Sequence, residues 1–128
     1  MGYYTYFSLT TTPLSDEELS IILEKFREYG VFHDARVQAD QSIDAGDSYK
    51  WYDWDEDMVA LSIEVPGVLF TMHGVGDESE DMWDAYIQNG AIQHCPARIV
   101  YDDYDPKKMK QIIPPRTPDF KAEVADLL

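Results

Sequence analysis

The sequence predicts an α+β two-layer sandwich of ferredoxin-like kind, with two helices on one face of a mostly antiparallel sheet. Three stretches carry that expectation. Residues 3–10, YYTYFSLT, alternate with the period of a strand; residues 15–30 hold the start and stop signals of an amphipathic helix; and Val68 to Tyr104 reads as a buried strand followed by a hairpin that turns at Asn89-Gly90. A chain of 128 residues is long enough for one core and too short for two.

In the first strand Tyr3, Thr5, Phe7 and Leu9 share one largely apolar face, opposite Tyr4, Tyr6, Ser8 and Thr10. The helix then starts by three independent signals: Ser15 as N-cap, Glu18 as its capping-box partner, and Leu14 with Leu19 as a hydrophobic staple. Leu19, Ile22, Leu23, Phe26 and Tyr29 recur at helical spacing, acids fill the first turn, and Gly30 closes the helix. Residues 34–40 are expected as a weak strand, and DQSIDAGDS after it as a mobile loop. A second helix is expected at 54–65, begun by Asp53 or Asp55 and ended by Pro66-Gly67, with Trp54, Met58, Leu61 and Val65 on one face. Val68 to Met72 is apolar enough for a central strand.

In the hairpin, the positive φ values that Asn89 and Gly90 tolerate suit a two-residue type I′ turn, which sets Ile87 opposite Ile92 and Ala85 opposite His94. Trp83, Ala85 and Ile87 then share a face, with Met82, Asp84, Tyr86 and Gln88 on the other. The rival reading is a short helix over 79–88, because Met82/Tyr86 and Trp83/Ile87 are also i,i+4 pairs. After Tyr101, Pro106 at a first helical position opens one or two turns through Gln111. The domain is expected to span 1–113. Residues 114–128 form a Pro-rich linker and a C-terminal segment that docks through Phe120, Val124 and Leu127 on the same molecule or a second copy. The expected core is Phe7, Leu9, Leu19, Ile22, Leu23, Phe26, Met58, Leu61, Phe70 and Trp83.

Charge is the distinctive feature of the composition. Against 25 acidic residues stand 10 basic ones, a net charge of −15, which disfavours direct contact with nucleic acid or anionic membrane and favours basic partners. The distribution is uneven: residues 40–105 hold 16 acids and only Lys50 and Arg98 as bases, whereas residues 106–128 sum to +2. The single Cys95 excludes an internal disulfide, and a reducing bacterial cytoplasm is the expected compartment.

No motif identifies a reaction. His33, His73, His94 and Cys95 lack the clustered pairs of a structural zinc site, and strand geometry points the adjacent His94 and Cys95 to opposite faces. Asp77, Glu78, Glu80 and Asp81 lack the ligand alternation of a calcium loop. Gly74-Val75-Gly76 has no third glycine and stands among acids, where a phosphate needs donors. No catalytic residue, metal or cofactor is assigned. The alternative is a small carboxylate-dependent hydrolase or ligand-binding domain, with Glu78 or Asp81 near Glu64 beside Trp83 and His94.

The pattern of Gly74, Gly76, Glu78, Asp81, Trp83, Tyr86, Asn89 and Gly90, preceded by KWYDWDEDM at Lys50 to Met58, resembles a family of small uncharacterised proteins of phages, prophages and other mobile elements. The resemblance covers Lys50 to Asp105. It implies a hairpin-bearing α+β domain and a mobile-element context, with Gly74 and Gly90 as backbone necessities, Trp83 and Tyr86 as packing residues, and Glu78 and Asp81 on a functional surface. The expected role is therefore an acidic interaction protein. Asp53, Asp55, Glu56 and Asp57, with Asp77, Glu78, Glu80, Asp81 and Asp84 and with Asp102, Asp103 and Asp105, would line one edge of the sheet as a DNA mimic. Such a surface fits the basic nucleic-acid groove of a host enzyme, as an anti-CRISPR or anti-restriction inhibitor of host defence would, in a monomer or homodimer.

Overall fold

The computed structural model, which describes residues 2–113, contains β1 (Thr5–Thr11), α1 (Asp16–Tyr29), β2 (Arg36–Val37), β3 (Ile43–Tyr49), α2 (Trp54–Glu64), β4 (Phe70–Gly76), β5 (Met82–Gln88), β6 (Ala91–Pro96) and a 3-10 turn at Pro106–Lys108. The architecture is α+β: a six-stranded antiparallel sheet in the order β2-β3-β1-β4-β5-β6, with both helices packed against it. The expected C-terminal docking segment at 114–128 lies outside the described residues.

The signals that bound α1 and the hairpin have their counterparts, whereas Asp53 stands at the start of α2 without a side-chain capping bond. Ser15 Oγ accepts from the Glu18 N–H at 3.1 Å while Glu18 Oε1 accepts from the Ser15 N–H at 2.8 Å, so both arms of the capping box are formed. Gly30 ends α1 at φ 72°, in the left-handed region, with its N–H shared between the carbonyls of Arg27 and Phe26. Asn89 and Gly90 sit at φ 52° and 77°, as a type I′ turn demands, and Ile87 faces Ile92 and Ala85 faces His94; the rival helix over 79–88 is not formed. The turn is fastened to the helix layer, since the Gly90 N–H donates to Ser62 Oγ at 2.8 Å and the Gly67 N–H to Asn89 Oδ1 at 2.8 Å.

The sheet corrects the expectation after residue 40. Where a mobile loop is expected, Ile43–Tyr49 forms β3 and pairs with β1 from Thr10↔Asp44 to Thr5↔Tyr49, while the expected strand at 34–40 shrinks to Arg36–Val37. The inward period of β3 lasts only for Ile43 and Ala45, so its strength lies in ladder bonds to a distant partner and not in its own side chains. The expected turns at 106–111 reduce to one 3-10 turn, capped by Asp105 Oδ1 on the Lys107 N–H at 2.9 Å.

One face of the sheet is buried. Phe7, Leu9, Ile43, Phe70, Met72, Ala85 and Ile87 meet Ile22 and Phe26 of α1 and Met58 and Leu61 of α2 in one cluster. Eight of the ten expected core residues are buried; Leu19 and Leu23 are half-buried on the flank of α1. Gly74 is required for space and not for a backbone angle, because the indole of Trp83 lies where its Cβ would stand. Among the described residues no helix covers the other sheet face, with Tyr6, Val75, Met82 and Tyr86.

Candidate interaction surface

Strand register decides which acids can act together. Thr5 stands opposite both Tyr49 and Gly76, and Trp83 opposite Pro96, so the starts of β1 and β5 and the ends of β3, β4 and β6 share one end of the sheet. The start of α2 is held there too, because Trp54 stacks on Trp83 with ring centroids 4.3 Å apart and planes 10° from parallel. Asp53 just before α2, Asp55, Glu56 and Asp57 in its first turn, and Asp77, Glu78, Glu80 and Asp81 in the β4–β5 loop therefore meet at this end. The chain also leaves the sheet here, through the Ala97 N–H to the Met82 carbonyl at 2.8 Å, toward Asp102, Asp103 and Asp105.

Part of this charge has structural work. Asp57 Oδ2 accepts from the indole N–H of the buried Trp51 at 2.7 Å. The amino-terminal segment clamps the β4–β5 loop: the Tyr4 N–H donates to Asp77 Oδ2 at 3.0 Å, and the Tyr3 hydroxyl donates to Asp81 Oδ2 at 2.5 Å while accepting from the Glu78 N–H at 3.0 Å. The bond to Asp81 raises the Tyr3 phenol above its ordinary value, with the Glu78 N–H partly offsetting it. Within the loop the Gly76 N–H donates to the Asp81 carbonyl at 2.7 Å, and Glu80 sits at φ 105°, a strained angle for a residue with a side chain. A loop held in that state presents its carboxylates in one arrangement.

The rest is surplus. Among the described residues the carboxylates of Asp53, Glu56, Glu78, Glu80, Asp102 and Asp103 accept no hydrogen bond and form no ion pair. Asp55 accepts only from the neighbouring Glu56 N–H at 2.9 Å. Of the two bases in the acidic region, Lys50 lies over the Tyr4 ring at 5.0 Å. Asp84 stands apart from the group: it is on the uncovered sheet face, 2.6 Å from His73 Nδ1.

The alternative carboxylate pair is not assembled. Glu64 ends α2 at the far end of the sheet, 3.5 Å from Lys25, while Glu78 and Asp81 lie at the helix start, roughly 15 Å away at 1.5 Å per helical residue. His94 does reach the aromatic cluster, 5.4 Å from the Trp83 ring, and Cys95 faces the opposite way. Among the described residues no three of His, Cys, Asp and Glu converge where a metal ion could sit, and no helix is long and apolar enough to cross a membrane. What the sequence did not single out is the role of Tyr3, which fixes the acidic loop from 78 positions away; expected on the first strand, it precedes β1, and its place in a tyrosine-rich run gives no hint of that bond.

No family model, curated protein or solved structure matches the chain.

Proposed function

We propose that this chain is an interaction protein without catalytic activity, which offers the acidic end of its sheet to a basic protein surface and occupies the nucleic-acid groove of a host enzyme in place of phosphate. The observation that carries the reading is the gathering of two acid clusters, with a third on the chain that leaves them, at one end of the sheet in numbers beyond what the fold uses. Unpartnered carboxylates held close together repel one another, and a cationic groove relieves that repulsion while supplying long-range steering. The resemblance to mobile-element proteins supports a host defence enzyme as target, in the manner of an anti-CRISPR or anti-restriction protein, and the cytoplasm of a bacterial host as the place of action. In this reading β1 to β4 with α1 and α2 form a ferredoxin-like unit to which the β5–β6 hairpin is added, an assignment that the order β2-β3-β1-β4 supports.

The test is capture from a bacterial lysate on the immobilised chain at low and high salt, with duplex DNA as competitor. A partner released by salt and displaced by DNA is expected; retention indifferent to both would overturn the reading.

A further inference from the structure

We infer that residues 98–113 form an exchange arm that lies across the uncovered sheet face of a second copy of this chain. The Ala97 N–H to Met82 carbonyl bond is the last that ties this end of the described chain to the sheet; beyond it, the hydrogen bonds among the described residues stay inside the segment, as in Lys107 to Asp105 and Tyr104 to Met109. Yet the arm carries Ile99, Val100, Tyr101, Tyr104, Ile112 and Ile113, with Val100 and Tyr101 each 84% exposed and Ile112 91%. A run of large apolar side chains in water, on a domain whose own core is complete without them, marks a contact surface.

The receiving surface is given by register. Tyr6 stands opposite Val75 and Val75 opposite Met82, so these three form one row across β1, β4 and β5 on the face that no helix of the described residues covers, and each is more than a third exposed. The row ends at Met82, where the arm is rooted through Ala97. A two-fold axis beside that root carries each arm onto the other copy's row, which closes a dimer through self-complementary surfaces. Reach is ample: at about 3.3 Å per residue the extended arm spans on the order of 50 Å, against roughly 25 Å across six strands about 4.8 Å apart.

Charge argues for a second copy over an apolar partner of another kind. Residues 1–97 sum to −15, while the arm at 98–113 sums to +1, with Lys107, Lys108 and Lys110 grouped beyond Asp102, Asp103 and Asp105, so each copy holds both halves of a complementary pair. If each of the six apolar side chains of the arm and the surface it meets lose on the order of 100 Å² apiece, two reciprocal arms bury about 2,400 Å², within the range of stable dimers.

The experiment is sedimentation equilibrium of the full chain over a wide concentration range, beside the double variant Val100→Glu, Tyr101→Glu. These two side chains lie outside the core, so the variant keeps its fold, which its circular dichroism melt verifies. A dimer for the natural chain, weakened at least about tenfold in the variant, is expected. Carbodiimide cross-linking of an equilibrated mixture of nitrogen-15-labelled and unlabelled chains then distinguishes exchange from self-docking: cross-links from Lys107, Lys108 or Lys110 to carboxylates should join labelled to unlabelled peptides. A monomer at every concentration, a dimer indifferent to the substitutions, or arm cross-links confined to one isotope would each overturn the inference.

Discussion

The two ends of the sheet spend their polar groups differently. At the Asn89-Gly90 end the side chains close the fold: Ser62 and Asn89 hold the turn, Gln88 Nε2 donates to the Gly67 carbonyl at 3.0 Å, Thr12 Oγ1 accepts from the Leu69 N–H at 3.1 Å, and Thr11 Oγ1 from the Ile43 N–H at 2.9 Å. At the other end Asp57, Asp77 and Asp81 do comparable work, but carboxylates such as Glu56, Glu78 and Glu80 remain without a partner among the described residues. Folding explains the first end fully. It explains the second only in part, and the remainder is carboxylates that repel one another and that the proposed function assigns to a basic partner.

The comparison can be broken first through the core beneath the turn end. Phe70, fully buried opposite Ile87, should lose about 3–5 kcal/mol of stability as Phe70→Ala, read from urea unfolding. At the acidic end Asp57→Ala should cost about 1–3 kcal/mol by leaving the Trp51 indole N–H unsatisfied. Gly90→Ala should cost about 1–2 kcal/mol, since φ is 77° and the new Cβ would meet Ile63 Cγ1 at 3.0 Å. The surplus acids should behave in the opposite sense: the triple change Asp53→Asn, Glu56→Gln, Glu80→Gln should leave stability within about 0.5 kcal/mol or raise it at low salt. A loss as large as that of Asp57→Ala would show that these carboxylates serve the fold after all.

The smallest expected effect is a pH dependence at the clamp on the acidic loop. Tyr3 has its phenol raised in the folded chain by the bond to Asp81, from an ordinary value of 10.0, so its contribution is complete below about pH 10 and is lost as pH rises through the higher folded value. Tyr3→Phe removes that contribution. The gap in urea midpoint between the natural chain and the variant should therefore narrow above about pH 10, with Tyr29 and Tyr49, raised by burial, titrating alike in both.

How much of this was legible in the sequence follows the distance over which each element is determined. The start of α1 is written within four residues by Ser15 and Glu18, its end by Gly30, and the hairpin by two residues with positive φ; all three form as read. The β3 strand was missed because only Ile43 and Ala45 show its period, and what holds it is a ladder to β1, more than thirty residues away in sequence. The acid clusters were legible as composition. Their gathering was expected along one edge of the sheet; that they lie at an end instead was not legible, because it depends on the Trp54–Trp83 stack and on the clamp from Tyr3, both nonlocal, and Asp84, expected with them, falls on another face.

The central claim is that the surplus acids of one end take the place of phosphate. Bacterial lysate is loaded on immobilised duplex DNA, washed, and eluted at constant low salt with the purified chain or with its Asp53→Asn, Glu56→Gln, Glu80→Gln variant. The account predicts that the natural chain releases a DNA-binding protein and that the variant, equally folded, needs about tenfold more to do so. Elution of nothing beyond the buffer control, or equal elution by both chains, would contradict it.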